Sequence, residues 1–298
     1  MLEDILKPLR QELLTRTPLD ALPESVWKRT GALNTWGTNA IEGNTLTFAD
    51  VERVLLEQRS VPGRPVPDVL ETIHHDVAFR GLLARRGQPI RLVTAMELHE
   101  DVFRGVLPDA GQWRRVNVRI QGSKHTPPRM ENVVALLTKW QEAYSTRDTR
   151  GENVFALAAW MHHGFESIHP FSNGNGRVGR LLLNLHFLKH NWPPVHVLPP
   201  DRDRYLDALE AGHAGHLADL EEFLRVAMGR SLLDLLDQVG TKEDELKPLR
   251  AFAAKGPYSA KYLSLRAGQG RLPALKVGGD WKTSARATRA YRDLVGRA

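Results

Sequence analysis

Between Ile168 and Arg180 the chain reads IHPFSNGNGRVGR, with one His, three Gly, two Asn and two Arg in thirteen positions. Gly and Asn disfavour helix, yet the runs on both sides, NVFALAAWMHHGFESI and LLLNLHFLKHN, are apolar and helical in pattern. A second helix starting near Gly176 leaves the backbone N–H groups of Gly174, Asn175 and Gly176 at a helix N-terminus. Such groups lack intrahelical partners, carry partial positive charge and suit a phosphate. Arg177 and Arg180 are three apart and Asn184 follows four later, so the three share one helical face. Leu181, Leu182, Leu185 and Leu188 fall mainly on another side and can pack inward. The pattern is an anion cradle flanked by two cations and an amide, and its natural ligand is a polyphosphate. Asn173 offers a carbonyl oxygen to a phosphate-bound Mg²⁺. His169, beside the cradle, can take a proton from an attacking hydroxyl. Taken singly, each feature has a plainer reading: a capping histidine, an interhelical turn, a solvated arginine face. Together, at this spacing, they favour a ligand site.

HPFSNGNGRVGR resembles the signature of the Fic family, H-P-F-x-[D/E]-G-N-G-R-x-x-R. The resemblance implies a helical bundle with a β-hairpin flap and transfer of AMP from ATP to a hydroxyl of a target protein. It implies that His169 is the general base, that Phe171 anchors the loop, and that Gly174, Asn175 and Gly176 form the anion hole. Arg177 and Arg180 would hold the pyrophosphate end, with Tyr205 and Asn184 as further nucleotide contacts. The family's acidic residue is Asn173 here, which keeps the oxygen and loses the charge. Weaker Mg²⁺ binding, or a preference for Mn²⁺, is therefore expected, and Asn173→Asp should raise activity at low Mg²⁺.

Upstream, TNAIEGN (38–44) places Thr38 and Glu42 on one helical face, and Gly43 can end that helix. On its own this is a surface Glu beside a helix cap. It also resembles the family's inhibitory helix, [S/T]-x-x-x-E-[G/N], which implies that Glu42 pairs with Arg180 and takes the place of the ATP γ-phosphate. In some relatives the same Glu supports removal of AMP.

The elements that must position these residues read as mostly helical. Residues 2–15 and 24–42 are amphipathic. Thr47 with Asp50 forms a capping box for the next helix, VPGRPVPD breaks the pattern, and VLETIHHDVAFRGLLARRG follows as a helix ended by Gly87. Thr94 is the expected N-cap of another helix. RRVNVRIQGSKHTPPR alternates Val116, Val118 and Ile120 with polar residues and turns at Gly122-Ser123, which predicts a β-hairpin. A lone hairpin is not self-sufficient, so it is expected to lie over the site as a flap. His162, His163, His213 and His216 lack metal-ligand spacing and are read as structural.

The chain has 298 residues, 42% of them hydrophobic and 26% charged, and no cysteine. Thiol chemistry and disulfides are excluded. A signal peptide and a membrane span are not expected from the pattern, and a cytoplasmic home fits. The net charge of +6 is uneven: residues 246–298 hold 12 Lys/Arg and two Asp/Glu, a net of +10, which leaves −4 for the rest. The basic stretch reads as helix, strand pair turning at Gly278-Gly279, and helix capped by Ser284. With Lys261, Arg266, Arg271, Lys276 and Lys282 it resembles a small winged helix-turn-helix module.

The expected organisation is an N-terminal helical region (1–92) with the inhibitory helix, a catalytic core (93–240) and a basic module (241–298). The expected reaction uses ATP with Mg²⁺ on a target protein or on the protein itself, with DNA and a second copy of the chain as further partners. A DNA-binding regulator with a weakly active or differently specific site, performing phosphotransfer or AMP removal, is the competing reading.

Overall fold

The protein, described here by a computed structural model, is resolved into elements over residues 2–254 and 256–296. Lys255 and Arg297, counted in the basic stretch, lie outside the described residues. Ten helices come first: α1 (Leu2–Arg16), α2 (Glu24–Ile41), α3 (Phe48–Leu55), α4 (Val66–Arg85), α5 (Leu92–Phe103), α6 (Val133–Thr149), α7 (Val154–Ile168), α8 (Asn175–Lys189), α9 (Arg202–His213) and α10 (Leu217–Val239). Then come β1 (Lys247–Pro248), α11 (Leu249–Ala253), α12 (Ala260–Gly268), β2 (Leu275–Val277), β3 (Asp280–Thr283) and α13 (Ala285–Val295). The chain divides into two compact units, Trp27–Phe223 and Met1–Val26 with Leu224–Ala298. These cuts differ from the sequence segments ending at 92 and 240. The end of α2, with its TNAIEGN motif, is bonded to Arg180 of α8 through Thr38 and Glu42, whereas α1 packs against α13.

The first unit is built around α7 and α8. In α7, Phe155, Leu157, Ala158, Ala159, Met161 and Phe165 are all buried, so the helix is apolar nearly all round. Such a helix belongs in a core. In α8 every residue from Arg177 to Leu188 is buried. Fully burying a Phe or Leu side chain contributes roughly 1.5–3 kcal/mol, so this pair is a rigid base for the short loop between them. Around it pack α4 and α5 on one side and α6 and α9 on another.

Local chemistry sets the boundaries. Thr47 and Asp50 form the reciprocal capping box of α3: Thr47 N donates to Asp50 Oδ2 at 3.0 Å, and Asp50 N donates to Thr47 Oγ1 at 3.2 Å. Helix α2 stops at Ile41 because Gly43 takes a left-handed backbone, φ +92°, the conformation glycine adopts freely. The start of α5 corrects one expectation. The helix opens at Leu92, and Thr94 sits inside its first turn, where its hydroxyl accepts from the Arg91 N–H at 3.2 Å. Helix α8 opens at Asn175, one residue before Gly176.

The flap is also corrected. Residues 114–128 contain the turn, with Ser123 N donating to Ile120 O at 3.3 Å, but no paired strands. Side chains hold this segment where a ladder was expected. Arg114 donates from Nε to His169 O at 2.8 Å, from Nη1 to Val116 O at 2.9 Å, and from Nη2 to Pro128 O. Asn117 Oδ1 accepts from Met130 N at 2.9 Å. At the tip, Glu210 accepts from Ser123 Oγ at 2.6 Å and from Lys124 N at 3.2 Å. A guanidinium that serves three carbonyls removes the need for strand pairing while keeping the segment in place.

In the second unit, Ile5, Leu6, Leu9 and Leu13 of α1 are buried, and α1 packs on α13. Glu12 of α1 lies 3.1 Å from Arg286 of α13, whose guanidinium also holds the buried Asp244 at 2.6 Å. The sheet has the order β1-β3-β2, antiparallel throughout. β2 and β3 join at Gly278 and Gly279, with φ +60° and +88°, which a two-residue hairpin turn of the primed type requires. β1 was not foreseen: it is two residues long and includes Pro248. Among the described residues, no helix is long and apolar enough to cross a membrane.

Candidate active site

The loop between α7 and α8 is braced from within. Asn175 turns its amide back on the loop, accepting from Phe171 N at 2.8 Å and donating to Phe171 O at 2.9 Å. Phe171 is fully buried and stacks on His99 at 3.8 Å between centroids. His99 in turn fixes the loop backbone. Its Nδ1 accepts from Gly111 N at 2.8 Å, so its Nε2 carries the proton and donates to Asn173 O at 3.1 Å. Burial holds the His99 pKa at about 4, consistent with that neutral tautomer.

Gly174, at φ +78°, turns the chain into α8, and a Cβ there would overlap the Phe103 ring. The first N–H groups of α8, from Asn175 onward, have no intrahelical acceptor by geometry. A Cβ at Gly176 would overlap Glu42 Oε1 and crowd the Arg180 guanidinium. Gly176 is therefore where the helix N-terminus, Glu42 and Arg180 meet.

Arg180 is buried, and its guanidinium is enclosed by named partners. Nη2 donates to Glu42 Oε1 at 2.6 Å, Nε donates to Thr38 Oγ1 at 2.6 Å, and Nη2 also reaches Thr38 O at 3.3 Å. Thr38 and Glu42, one turn apart at the end of α2, thus grip one guanidinium together. From below, Tyr205 accepts from Arg180 Nη1 at 3.5 Å. The Tyr205 hydroxyl proton then goes to His162 Nε2, 2.7 Å away, because Arg can only donate. Burial holds the His162 pKa at about 3, so this imidazole is neutral.

Burial opposes ionisation of Glu42, but the charge and hydrogen bond of Arg180, aided by Arg177 and His169, outweigh it and hold its pKa below the ordinary value. Burial likewise opposes the charge of Arg180, and Glu42, Tyr205 and Glu166 outweigh it, so its pKa is raised. The pair is ionised. Glu166 is different. Burial lifts its pKa to about 8, against the pull of Arg180 and with added repulsion from Glu42. Its Oε1 sits against Gly179 and finds no hydrogen-bond partner among the described residues.

His169 ends α7 with a left-handed backbone, φ +49° and ψ +61°. For a residue with a Cβ this conformation is uncommon and costs energy. The hinge is held by the bond from His169 N to Phe165 O at 3.0 Å and by Arg114 on the His169 carbonyl. Nδ1 faces Glu166 O at 3.3 Å. A proton on Nδ1 satisfies that carbonyl and leaves the Nε2 lone pair for chemistry. Burial brings the pKa down to about 4, with the Glu166 carbonyl and Glu42 opposing. At neutral pH the ring is an unprotonated base.

Of the other residues named from sequence, Arg177 is buried at the loop, with Nη1 2.5 Å from Glu71 Oε2, Nη2 3.3 Å from Asn173 Oδ1, and its guanidinium 4.5 Å from the Phe103 ring centroid. Asn173 Oδ1 also accepts from Gly174 N at 2.6 Å. Tyr205 is brought to the site, but its ring is buried and its hydroxyl serves Arg180 and His162. Asn184 is not brought to the cluster. It is buried a turn beyond Arg180, and its Oδ1 accepts from Val195 N at 2.8 Å. His99, Arg114, Glu71 and Glu166 were missed, and His162, read as structural, is the acceptor of the Tyr205 hydroxyl. Each lies far from the loop in sequence or in an apolar helix with no local pattern to mark it. Asp148, His186 and His190 bring possible metal-ligand atoms within 4.8 Å of one another, but Lys189, Tyr144 and Val154 O already engage them.

Buried helices hold the glycine-rich loop, with a neutral histidine beside it and the Glu42–Arg180 ion pair across it, in the arrangement that the Fic resemblance implies. Residues 89–187 match the model of the Fic/DOC family. The chain is 31% identical over 219 residues to "Protein adenylyltransferase fic-1" of Caenorhabditis briggsae, an alignment covering 72% of this chain and 42% of that protein. The chain thus spans less than half the length of this curated relative. The structure of Fic-1 from C. elegans superposes with a TM-score of 0.68 at 25% identity, covering 80% of this chain and 72% of that one. A Fic domain-containing signaling protein from Bacteroides thetaiotaomicron VPI-5482 superposes with a TM-score of 0.69 at 23% identity, covering 78% and 97%.

Proposed function

We propose that this protein transfers AMP from ATP to a Ser, Thr or Tyr hydroxyl of a target protein and that it is held inactive by Glu42. The observation that carries the reading is a neutral His169 at the mouth of an anion-binding helix N-terminus whose arginine is already occupied by a carboxylate. The target hydroxyl oxygen attacks the α-phosphorus, and its proton passes to His169 Nε2. The bond from the α-phosphorus to the bridging oxygen breaks, and pyrophosphate leaves. The N–H groups of Asn175 and Gly176 and the charge of Arg180 stabilise the phosphate oxygens.

Magnesium enters with the nucleotide as the counter-ion of its phosphates. The protein alone does not fit a resident metal: Asn173 offers one neutral oxygen, already accepting from Gly174 N and from Arg177. When the nucleotide brings a divalent ion, Asn173 is the residue positioned to offer it an oxygen. The backbone of residues 117–119, which belongs to no strand ladder, suits strand addition by a target segment.

While Glu42 holds Arg180, the γ-phosphate lacks its cation and ATP binds unproductively. Purified wild type, Glu42→Gly and Glu42→Gly/His169→Ala are incubated with ATP and Mg²⁺, and intact masses are recorded. An added AMP on the single variant alone supports the reading. An added phosphate in its place points to phosphotransfer instead, and loss of AMP from a modified target on wild type alone points to AMP removal.

A second reading concerns the basic unit. Lys261, Arg271 and Lys276 are exposed around α12 and the β2–β3 turn, which supports a winged helix-turn-helix contact with DNA. Its affinity should fall steeply with salt, as a gel shift on duplex DNA would reveal.

A further inference from the structure

The two arginines of the loop are held in different ways. Arg180 meets Glu42, whose side chain is 30% exposed and lies just past the end of α2, beside the left-handed Gly43. Such a carboxylate can withdraw. Arg177 meets Glu71, and the exposures of the two side chains are 6% and 15%. Glu71 stands inside the 20-residue helix α4, which packs along α8, so its backbone is held against the core, whereas Glu42 lies past a helix end. The remaining sides of the Arg177 guanidinium are taken by Asn173 Oδ1 and the Phe103 face, while Nε has no partner among the described residues. One carboxylate is built to leave and the other to stay.

We propose that Glu71 is a positioning residue for the anion loop: it fixes Arg177, and through Arg177 the Asn173 side chain, in the geometry that receives the triphosphate. The inference rests on the nucleotide-transfer reading of this site. The charge logic supports it. Breaking a buried pair from one side leaves an uncompensated charge, and Arg177 Nη2 also reaches the amide oxygen of Asn173 at 3.3 Å. That amide is neutral, so Glu71 supplies the negative charge that position 173 does not. Without Glu71, Arg177 would turn its hydrogen bonds to Asn173, take the oxygen offered to the cation, and unsettle the turn that Asn173 makes with Gly174 N.

The test is made in the Glu42→Gly background, where Arg180 is free. ATP binding with Mg²⁺ is measured by calorimetry, AMP transfer by intact mass, and thermal stability by calorimetric scanning, for Glu71 intact, Asn173→Asp, Glu71→Gln, and Glu71→Gln/Asn173→Asp, the rescue being read as a gain beyond that of Asn173→Asp alone. Glu71→Gln should raise the ATP dissociation constant by about tenfold, the loss of one charge-assisted contact, and should raise the Mg²⁺ concentration needed for half-maximal transfer. Adding Asn173→Asp should restore most of the affinity, because the new carboxylate sits where an oxygen already lies 3.3 Å from Arg177 Nη2. A pair that only holds helices together would lower the melting temperature without this rescue, and that result overturns the proposal. Tighter ATP binding by Glu71→Gln also overturns it, by making Glu71 a second brake. If the Glu71-intact parent binds ATP and Glu71→Gln binds equally well, the proposal fails while the nucleotide site stands. If the parent itself does not bind ATP, both fall.

Discussion

Glu42 Oε1 lies 2.6 Å from Arg180 Nη2, although 138 residues separate them along the chain. Thr38, one turn before Glu42, holds the same guanidinium from Oγ1 and from its carbonyl. The carboxylate is thus delivered by a helix end that is itself anchored on the arginine. Charge-assisted bonds of this kind contribute roughly 1.5–3 kcal/mol each, so ATP must displace a preformed partner. Glu42→Gly should tighten ATP binding by roughly 10–100-fold and raise AMP transfer by at least as much. Titration calorimetry with ATP and Mg²⁺ reads the first effect. Equal affinities together with equal transfer rates in the two proteins would remove Glu42 from any inhibitory role.

His169 is assigned the proton, not the nucleotide. In the Glu42→Gly background, His169→Ala should lower the rate of transfer by about 10²–10⁴-fold, the usual contribution of a general base. ATP affinity should change little. A variant that loses ATP binding along with transfer would place His169 in binding instead.

The pH dependence follows from burial. The ordinary imidazole pKa is 6.5, and in the folded protein His169 titrates at about 4. Protonation occupies the Nε2 lone pair, so activity is lost as pH falls through the folded value. The acid limb of kcat/KM in Glu42→Gly should lie at or below about pH 4, since the Glu42 charge that raises the value is removed, well below an ordinary histidine limb. The same depression makes the neutral ring the form favoured by folding, so this contribution to stability is full above pH 6.5 and declines below it. A limb near 6.5 would mean that the ring is solvated in the active state.

Arg114 ties the flap to the catalytic hinge through the carbonyls of His169, Val116 and Pro128. Arg114→Ala leaves three carbonyls short of a donor and should cost about 2–4 kcal/mol of stability. Arg114→Lys offers a charge without the fork and should keep part of that stability while still loosening the flap. Both should reduce transfer to a protein target more than they reduce ATP binding. An unchanged rate on the target would separate the flap from substrate positioning.

The site was legible where its chemistry is local. Gly174, Asn175, Gly176, Arg177 and Arg180 lie within seven positions, and their residue types conflict with the helical flanks, so they stand out without a fold. Thr38 and Glu42 could be placed on one face by spacing, but their partner across the chain came only from resemblance. Asn184 shows where spacing misleads. The i, i+4 relation gives a direction around α8 but not a depth, and the Val195 backbone takes the amide first. Glu71 could not be singled out, because a carboxylate inside an amphipathic helix looks like solvated surface until a buried guanidinium is packed against it. The flap failed for a related reason. Alternation at Val116, Val118 and Ile120 is the signature of a strand, but a single arginine and a distant glutamate satisfy the segment in place of a ladder.

On the proposed reading, the brake is a residue tethered to the arginine it covers, so it acts at a fixed effective concentration set by the chain between them. Dilution cannot loosen it. Specific activity of the wild-type chain should stay flat across a dilution series, and an added peptide copying residues 35–44 should inhibit the Glu42→Gly variant only weakly. Release has to come from a competitor for Arg180 or from a force on the end of α2, which makes the protein a switch thrown by contact and not by abundance.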